Sequence, residues 1–126
     1  MKKIFILILI VASFYNCKND NDTSNVNIRL ANISQFNYQN IIVNTSTGAV
    51  NFDDLESQQL SAYKTFEKAY SYAFIELQID GNTYTFQPID YVGESLLKNG
   101  YYTYQIDANE SQEQYGTLSL TLIKDY

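Results

Sequence analysis

Residues 75–87 read Ile-Glu-Leu-Gln-Ile-Asp-Gly-Asn-Thr-Tyr-Thr-Phe-Gln, and no other stretch limits the fold as tightly. Ile75, Leu77 and Ile79 alternate with Glu76 and Gln78, and Tyr84 and Phe86 alternate with Thr83, Thr85 and Gln87. A period of two puts every second side chain on one face of a pleated strand, whereas a helix would scatter these apolar groups around its circumference. Asp80-Gly81 between the two runs is the turn chemistry of a tight hairpin. A two-residue loop at Asp80-Gly81 sets Leu77 opposite Tyr84, and one at Gly81-Asn82 sets Ile79 there. Both registers keep the apolar sets on one face, because they differ by a shift of two positions.

The same rhythm recurs along the chain. Val26, Ile28 and Leu30 alternate with Asn27 and Arg29, and Ile41 and Val43 repeat the pattern within residues 38–45. Ile42 between them predicts a bulge or burial on both faces. Residues 44–48 supply turn chemistry before a short strand over 49–52, and Leu118, Leu120 and Leu122 form the inward row of a last strand over 117–124. Pro88 cannot donate to a ladder, so the strand before it ends there and residues 89–99 read as a crossing loop. Residues 54–72 are ambiguous: Leu60, Tyr63, Phe66 and Tyr70 have helical spacing, while 61–66 also fits a strand, with Tyr63 and Thr65 on one side. The expectation here is a helical turn over 53–55 followed by a strand over 62–66.

Leu97, Gly100, Tyr102 and Tyr104 add a further signal. A Leu, a Gly three residues on, and Tyr two and four residues after the Gly resemble the entry to a late strand of immunoglobulin-like and transthyretin-like sandwiches. There one tyrosine packs inward and bonds back to the preceding loop. Tyr102 matches that position. With seven to eight short strands and regular turn signals, the expected fold is all-β, a two-layer antiparallel β-sandwich over residues 26–126. Such a domain is large enough to hold a core without disulfides.

Ahead of it, Lys2 and Lys3 precede an unbroken apolar run of nine residues, 4–12. That is the length of a secretory h-region and far short of the ~20 residues that span a bilayer. The chain's single cysteine, Cys17, follows at once in Phe14-Tyr15-Asn16-Cys17. This arrangement resembles the lipobox of bacterial lipoproteins, in the relaxed form of Bacteroidota. The resemblance implies a signal peptide over 1–16, cleavage before Cys17 and acylation of its thiol. Residues 18–25 lack apolar side chains and read as a flexible acidic tether. An acidic run just after the cysteine also resembles the export signal of surface lipoproteins, so the expected address is the outer membrane, on its periplasmic or exposed face.

Charge and residue type narrow the function. Without the leader, six basic residues stand against 14 acidic ones, a balance that repels phosphate backbones and argues against nucleic acid. There is no histidine, and the one thiol is assigned to lipid, so imidazole- or thiolate-based nucleophiles and metal sites are not expected. No calcium-loop spacing occurs, and the 5 glycines stand singly at turns, with no phosphate cradle among them. No catalytic residue, metal or cofactor is expected. The carboxylates Asp53, Asp54, Glu56, Asp90, Glu94, Asp107, Glu110 and Glu113 are read as solvated strand ends. Tyrosine is abundant, with 12 copies and no tryptophan, and exposed tyrosines favour recognition surfaces. If Tyr102 and Tyr104 point inward, Tyr101 points outward, and Tyr101, Tyr91 and Tyr115 are the candidate binding patch. The expected protein is a non-catalytic lipoprotein, held to membrane through Cys17, that binds or scaffolds an envelope protein or a glycan. The alternatives are a carboxylate-based polysaccharide hydrolase and an inhibitor-type lipoprotein.

Overall fold

The structure, a computed structural model, describes residues 25–88 and 94–126. Cys17, Asp90 and Tyr91 lie outside the described residues. Eight strands are present, β1 (Val26–Asn32), β2 (Gln39–Asn44), β3 (Ala49–Phe52), β4 (Lys64–Phe66), β5 (Phe74–Ile79), β6 (Asn82–Phe86), β7 (Gly100–Ala108) and β8 (Leu118–Lys124). They form two four-stranded sheets, ordered β4-β1-β7-β8 and β3-β2-β5-β6. The all-β, two-layer, eight-stranded fold expected from the alternation is the fold observed.

Alternation decides which face each strand buries. Val26, Ile28 and Leu30 from one sheet meet Ile41, Val43, Ile75 and Leu77 from the other, all at most 1 % exposed. Each such side chain contributes roughly 1.5–3 kcal/mol by leaving water. The β5–β6 hairpin adopts the Asp80-Gly81 register, with Leu77 opposite Tyr84. Both turn residues have positive φ, 51° and 83°, as a type I′ loop requires. The register of β2 against β5 slips between Gln39 and Ile42, and Asn40 sits at φ 52°. A bulge is therefore present, but it falls just before Ile42, which itself pairs regularly with Glu76 and is half-buried on the outer face.

Two expectations need correction. The sandwich is not wholly antiparallel, because β1 and β7 run parallel from Val26↔Gly100 to Asn32↔Ile106. Nor is there a helical turn at 53–55. Leu55 instead makes an isolated bridge to Tyr38, Leu60 makes one to Ala31, and the strand that follows is shorter than expected, Lys64–Phe66. The three-and-four spacing of Leu60, Tyr63, Phe66 and Tyr70 has no helical meaning. Phe66 is buried, while Tyr63 and Thr65 lie on the outer face, where the Thr65 hydroxyl donates to Asn27 Oδ1 at 2.7 Å.

The strand directions give the sandwich two distinct ends. β1 and β7 start, and β4 and β8 finish, at one end, here called the base. Asn25 joins the sheet there, its carbonyl accepting the Gly100 N–H. The β5–β6 turn, residues 53–57 and the end of β7 lie at the opposite end, the apex. Along one side, the Thr85 N–H donates to the Gln114 carbonyl at 2.7 Å, so the loop over 109–117 closes the seam beside β6. Along the other, Phe52 stacks on Phe66 with ring centroids 6.4 Å apart.

Buried tyrosines fasten loops to this frame. Tyr102 donates to the Lys98 carbonyl at 2.8 Å, the backward bond expected of it. Tyr104 donates to the Tyr70 carbonyl and Tyr38 to the Ile106 carbonyl. Gly100, at φ 151°, admits this turn because a Cβ there would stand 3.1 Å from the Tyr126 carbonyl oxygen. Burial, with a smaller push from the Asp107 charge, raises the Tyr38 phenol from 10.0 to about 12 against a lowering hydrogen bond with Ser34. A phenol held neutral in the fold stabilises it fully below about pH 10 and loses that contribution as pH rises through 12. Urea midpoints should therefore fall across that window. Tyr38→Phe should flatten part of the fall, and a midpoint independent of pH there would contradict the assignment.

Candidate functional site

The outer face of the β4-β1-β7-β8 sheet carries an ordered polar and aromatic network near its base. Arg29, Tyr101 and Thr103 reach this face because they occupy the outward phase of β1 and β7, with Arg29 paired to Thr103 and Asn27 to Tyr101. Asp125 follows β8, and its N–H donates to the Tyr101 carbonyl at 2.8 Å. Its Oδ2 accepts the Thr103 hydroxyl at 2.6 Å and the Tyr63 hydroxyl at 2.7 Å. The same oxygen stands 3.6 Å from Arg29 Nε, with the carboxylate side chain only 11 % exposed. Arg29 Nε in turn donates to Thr103 Oγ1.

The aromatic groups stack on that polar centre. The Arg29 guanidinium lies 4.9 Å from the centroid of the Tyr63 ring. Tyr63 meets Tyr101 edge-on at 5.0 Å, and Tyr101 stacks on Tyr126 at 4.7 Å. Desolvation, then the hydrogen bond to Asp125, raises the Tyr63 phenol from 10.0 to about 12. With two hydroxyls and a guanidinium already engaging Asp125 Oδ2, its carboxylate acts as the hub that fixes three rings. The chemistry on offer is recognition: rigid tyrosine faces and edges, lost to little side-chain entropy when something packs on them.

The sequence-selected residues are dispersed. Tyr101 belongs to the network and is 36 % exposed; Tyr115, at 69 %, belongs to the loop leaving the far end of β7. β7 spans nine residues, roughly 25 Å at ~3.3 Å per residue. The two tyrosines do not share one patch, and Tyr91 lies outside the described residues. Tyr84, Tyr102 and Tyr104 are core residues. Tyr63, Arg29, Asp125 and Tyr126 were missed by sequence reasoning. Only the outward phase of Arg29 was legible, since the partners come from four separate segments.

The carboxylates divide by location. Asp53 and Asp54 line an open groove of about 660 Å³ with Asn40, Asn51 and Phe52, and Asp54 accepts the Asn40 N–H. Asp80 and Glu110 line a smaller one beside Phe36 and Asn82. Asp107 accepts the Ala108 N–H, and Glu113 and Glu94 stand apart from both grooves. No group of three or more metal-ligating acidic or thiol side chains occurs among the described residues. No described helix is long and apolar enough to cross a membrane.

Comparison with known proteins adds to the fold alone. No protein-family model matches the chain, and no curated protein matches it. A solution NMR structure of a protein from Eubacterium rectale superposes with a TM-score of 0.54 at 15% identity, covering 85% of this chain and 94% of that one. At that identity the likeness is architectural.

Replacing Asp125 by Ala should cost about 1–3 kcal/mol of unfolding free energy in urea, because a mostly buried charged acceptor of several bonds is removed. Tyr63→Phe, which deletes one of those donors, should cost less. Equal stability of Asp125→Ala and wild type would mean that the hub holds nothing together.

Proposed function

We propose that the chain is a lipid-anchored, non-catalytic lipoprotein of the outer membrane, which binds or scaffolds an envelope protein or a glycan. Acylated Cys17 supplies the hold, the polar residues from 18 up to Asn25, where the chain joins the sheet, supply the tether, and the sandwich supplies the recognition surface. The observation that carries this reading is the passage from leader to fold: a basic start, nine apolar residues, one cysteine, eight polar residues, and then β1.

The chemistry of the anchor supports it. Each methylene placed in lipid is worth ~0.8 kcal/mol, so several chains on one residue hold durably with no apolar surface asked of the domain. An unpaired thiol would be an odd feature of an exported protein unless it were consumed. The open grooves lined by Asn40, Asn51, Asp53 and Asp54 and by Asp80, Asn82 and Glu110 support the binding half of the reading, because they offer amide and carboxylate groups as hydrogen-bond partners to a protein or glycan.

Fractionation tests the anchor. Wild-type protein should sediment with membranes and show an acylated Cys17 as the first residue of its N-terminal peptide by mass spectrometry. Cys17→Ala should be released in soluble form. Crosslinking in intact membranes followed by pulldown then names the partner class. A wild-type protein that begins elsewhere, or carries a bare thiol, would end the proposal.

A further inference from the structure

The base and the apex differ in charge and in exposed apolar surface. Among the described residues, Asp53, Asp54, Glu56, Asp80, Asp107 and Glu110 sit toward the apex, and the cation beside them is Lys64, which shares a groove with Asp53 and Asp54. Lys68, Lys98 and Lys124 lie at the base, exposed, with Arg29 just above and with Glu67, Glu94 and Asp125 as the acidic counterparts. One end is strongly anionic and the other close to neutral.

Exposed apolar surface is distributed the opposite way. Of the eight large hydrophobics left exposed among the described residues, Tyr72, Leu96, Tyr101 and Tyr126 are at the base, and Ile123 adjoins it on the outer face. Tyr126 is 71 % exposed and Leu96 is 48 % exposed. Tyrosines with apolar bodies and wet hydroxyls, interspersed with lysines, are the composition that settles at a lipid–water interface.

Position selects the occupant. β1 begins at the base, and nine residue steps separate Cys17 from Val26, a reach of roughly 30 Å even when fully extended. Whatever bilayer receives the anchor is therefore within reach of this end. An anionic head-group layer repels the apex over a Debye length of about 8 Å at physiological ionic strength, while the base offers lysines.

We propose that the base is a membrane-seating surface: Tyr72, Leu96, Tyr101 and Tyr126 rest in the phospholipid head-group region beside Lys68, Lys98 and Lys124, and the acidic apex is presented away from the bilayer. This rests on the lipid-anchor reading above. It adds an orientation, with the apex grooves as the surface open to a soluble partner.

Isotope-labelled protein coupled through the Cys17 thiol to a maleimide lipid, in nanodiscs containing phosphatidylglycerol and a head-group nitroxide lipid, provides the test. Amide signals of Tyr101, Lys124 and Tyr126 should broaden several-fold more than those of Ser57 and Gly81. Because a tether alone brings the base nearer the lipid, the deciding comparison is a Lys68→Glu, Lys98→Glu, Lys124→Glu variant, whose amide spectrum also reports its folding. In it the base-to-apex contrast should fall at least twofold, and raised salt should lower the wild-type contrast. Equal contrast in wild type and variant overturns the seating surface while leaving the anchor intact. A bare Cys17 thiol in protein taken from its own membrane overturns the anchor, and the seating with it.

Discussion

The parallel pairing of β1 with β7 is the contact on which the rest of the molecule depends. It brings the first strand beside one that begins 74 residues later, Val26 against Gly100, and it places β1 inside the sheet with β4 on its other side. Closing so long a loop costs chain entropy before any burial offsets it. What offsets it is the row Val26, Ile28 and Leu30, which completes the core against the second sheet. The same pairing fixes Arg29 beside Thr103 and Asn27 beside Tyr101, so the outer-face network is a by-product of the register. It also means that a pull on Asn25 is borne by an interior strand and not by a frayed edge.

Tyrosine does in this fold what tryptophan or a disulfide does in other small sandwiches. Tyr38, Tyr102 and Tyr104 bury their rings and spend their hydroxyls on the carbonyls of Ile106, Lys98 and Tyr70. Tyr102 and Tyr104 thereby tie the segments before β7 and before β5 to the core, and Tyr38 ties the segment before β2 to β7. Outside the core, the Tyr63 hydroxyl bonds the Asp125 carboxylate, Tyr101 packs edge-on to the Tyr63 ring, and Tyr126 stacks on Tyr101 in series. The abundance of tyrosine thus divides between fastening and display.

How much was legible in advance follows the range of the interactions. The β5–β6 hairpin and the backward bond of Tyr102 were readable because each is specified within a few residues, and the bulge in β2 was expected within two positions of where it falls. The parallel partner of β1 was not, since alternation says which face a strand buries and is silent about its neighbour. Residues 54–72 misled for a related reason. Leu55 and Leu60 are placed by single bridges to Tyr38 and Ala31, tertiary contacts that override local spacing. The outer-face network was invisible as a unit, because Asp125 looks like any solvated acid until Arg29, Tyr63 and Thr103 are brought around it. Tyr101 was correctly turned outward, and its company could not be read.

The central claim is that β1, the strand that follows Cys17 in the sequence, is an integral interior strand. Native-state hydrogen exchange measures this most directly, residue by residue. Amides of β1 bonded to β7 should exchange in the slowest class, together with β7 and β5, and only through global unfolding. Exchange of β1 as fast as that of the edge strands β3 and β4 would contradict the claim, since the first strand would then detach while the rest of the sandwich stayed folded.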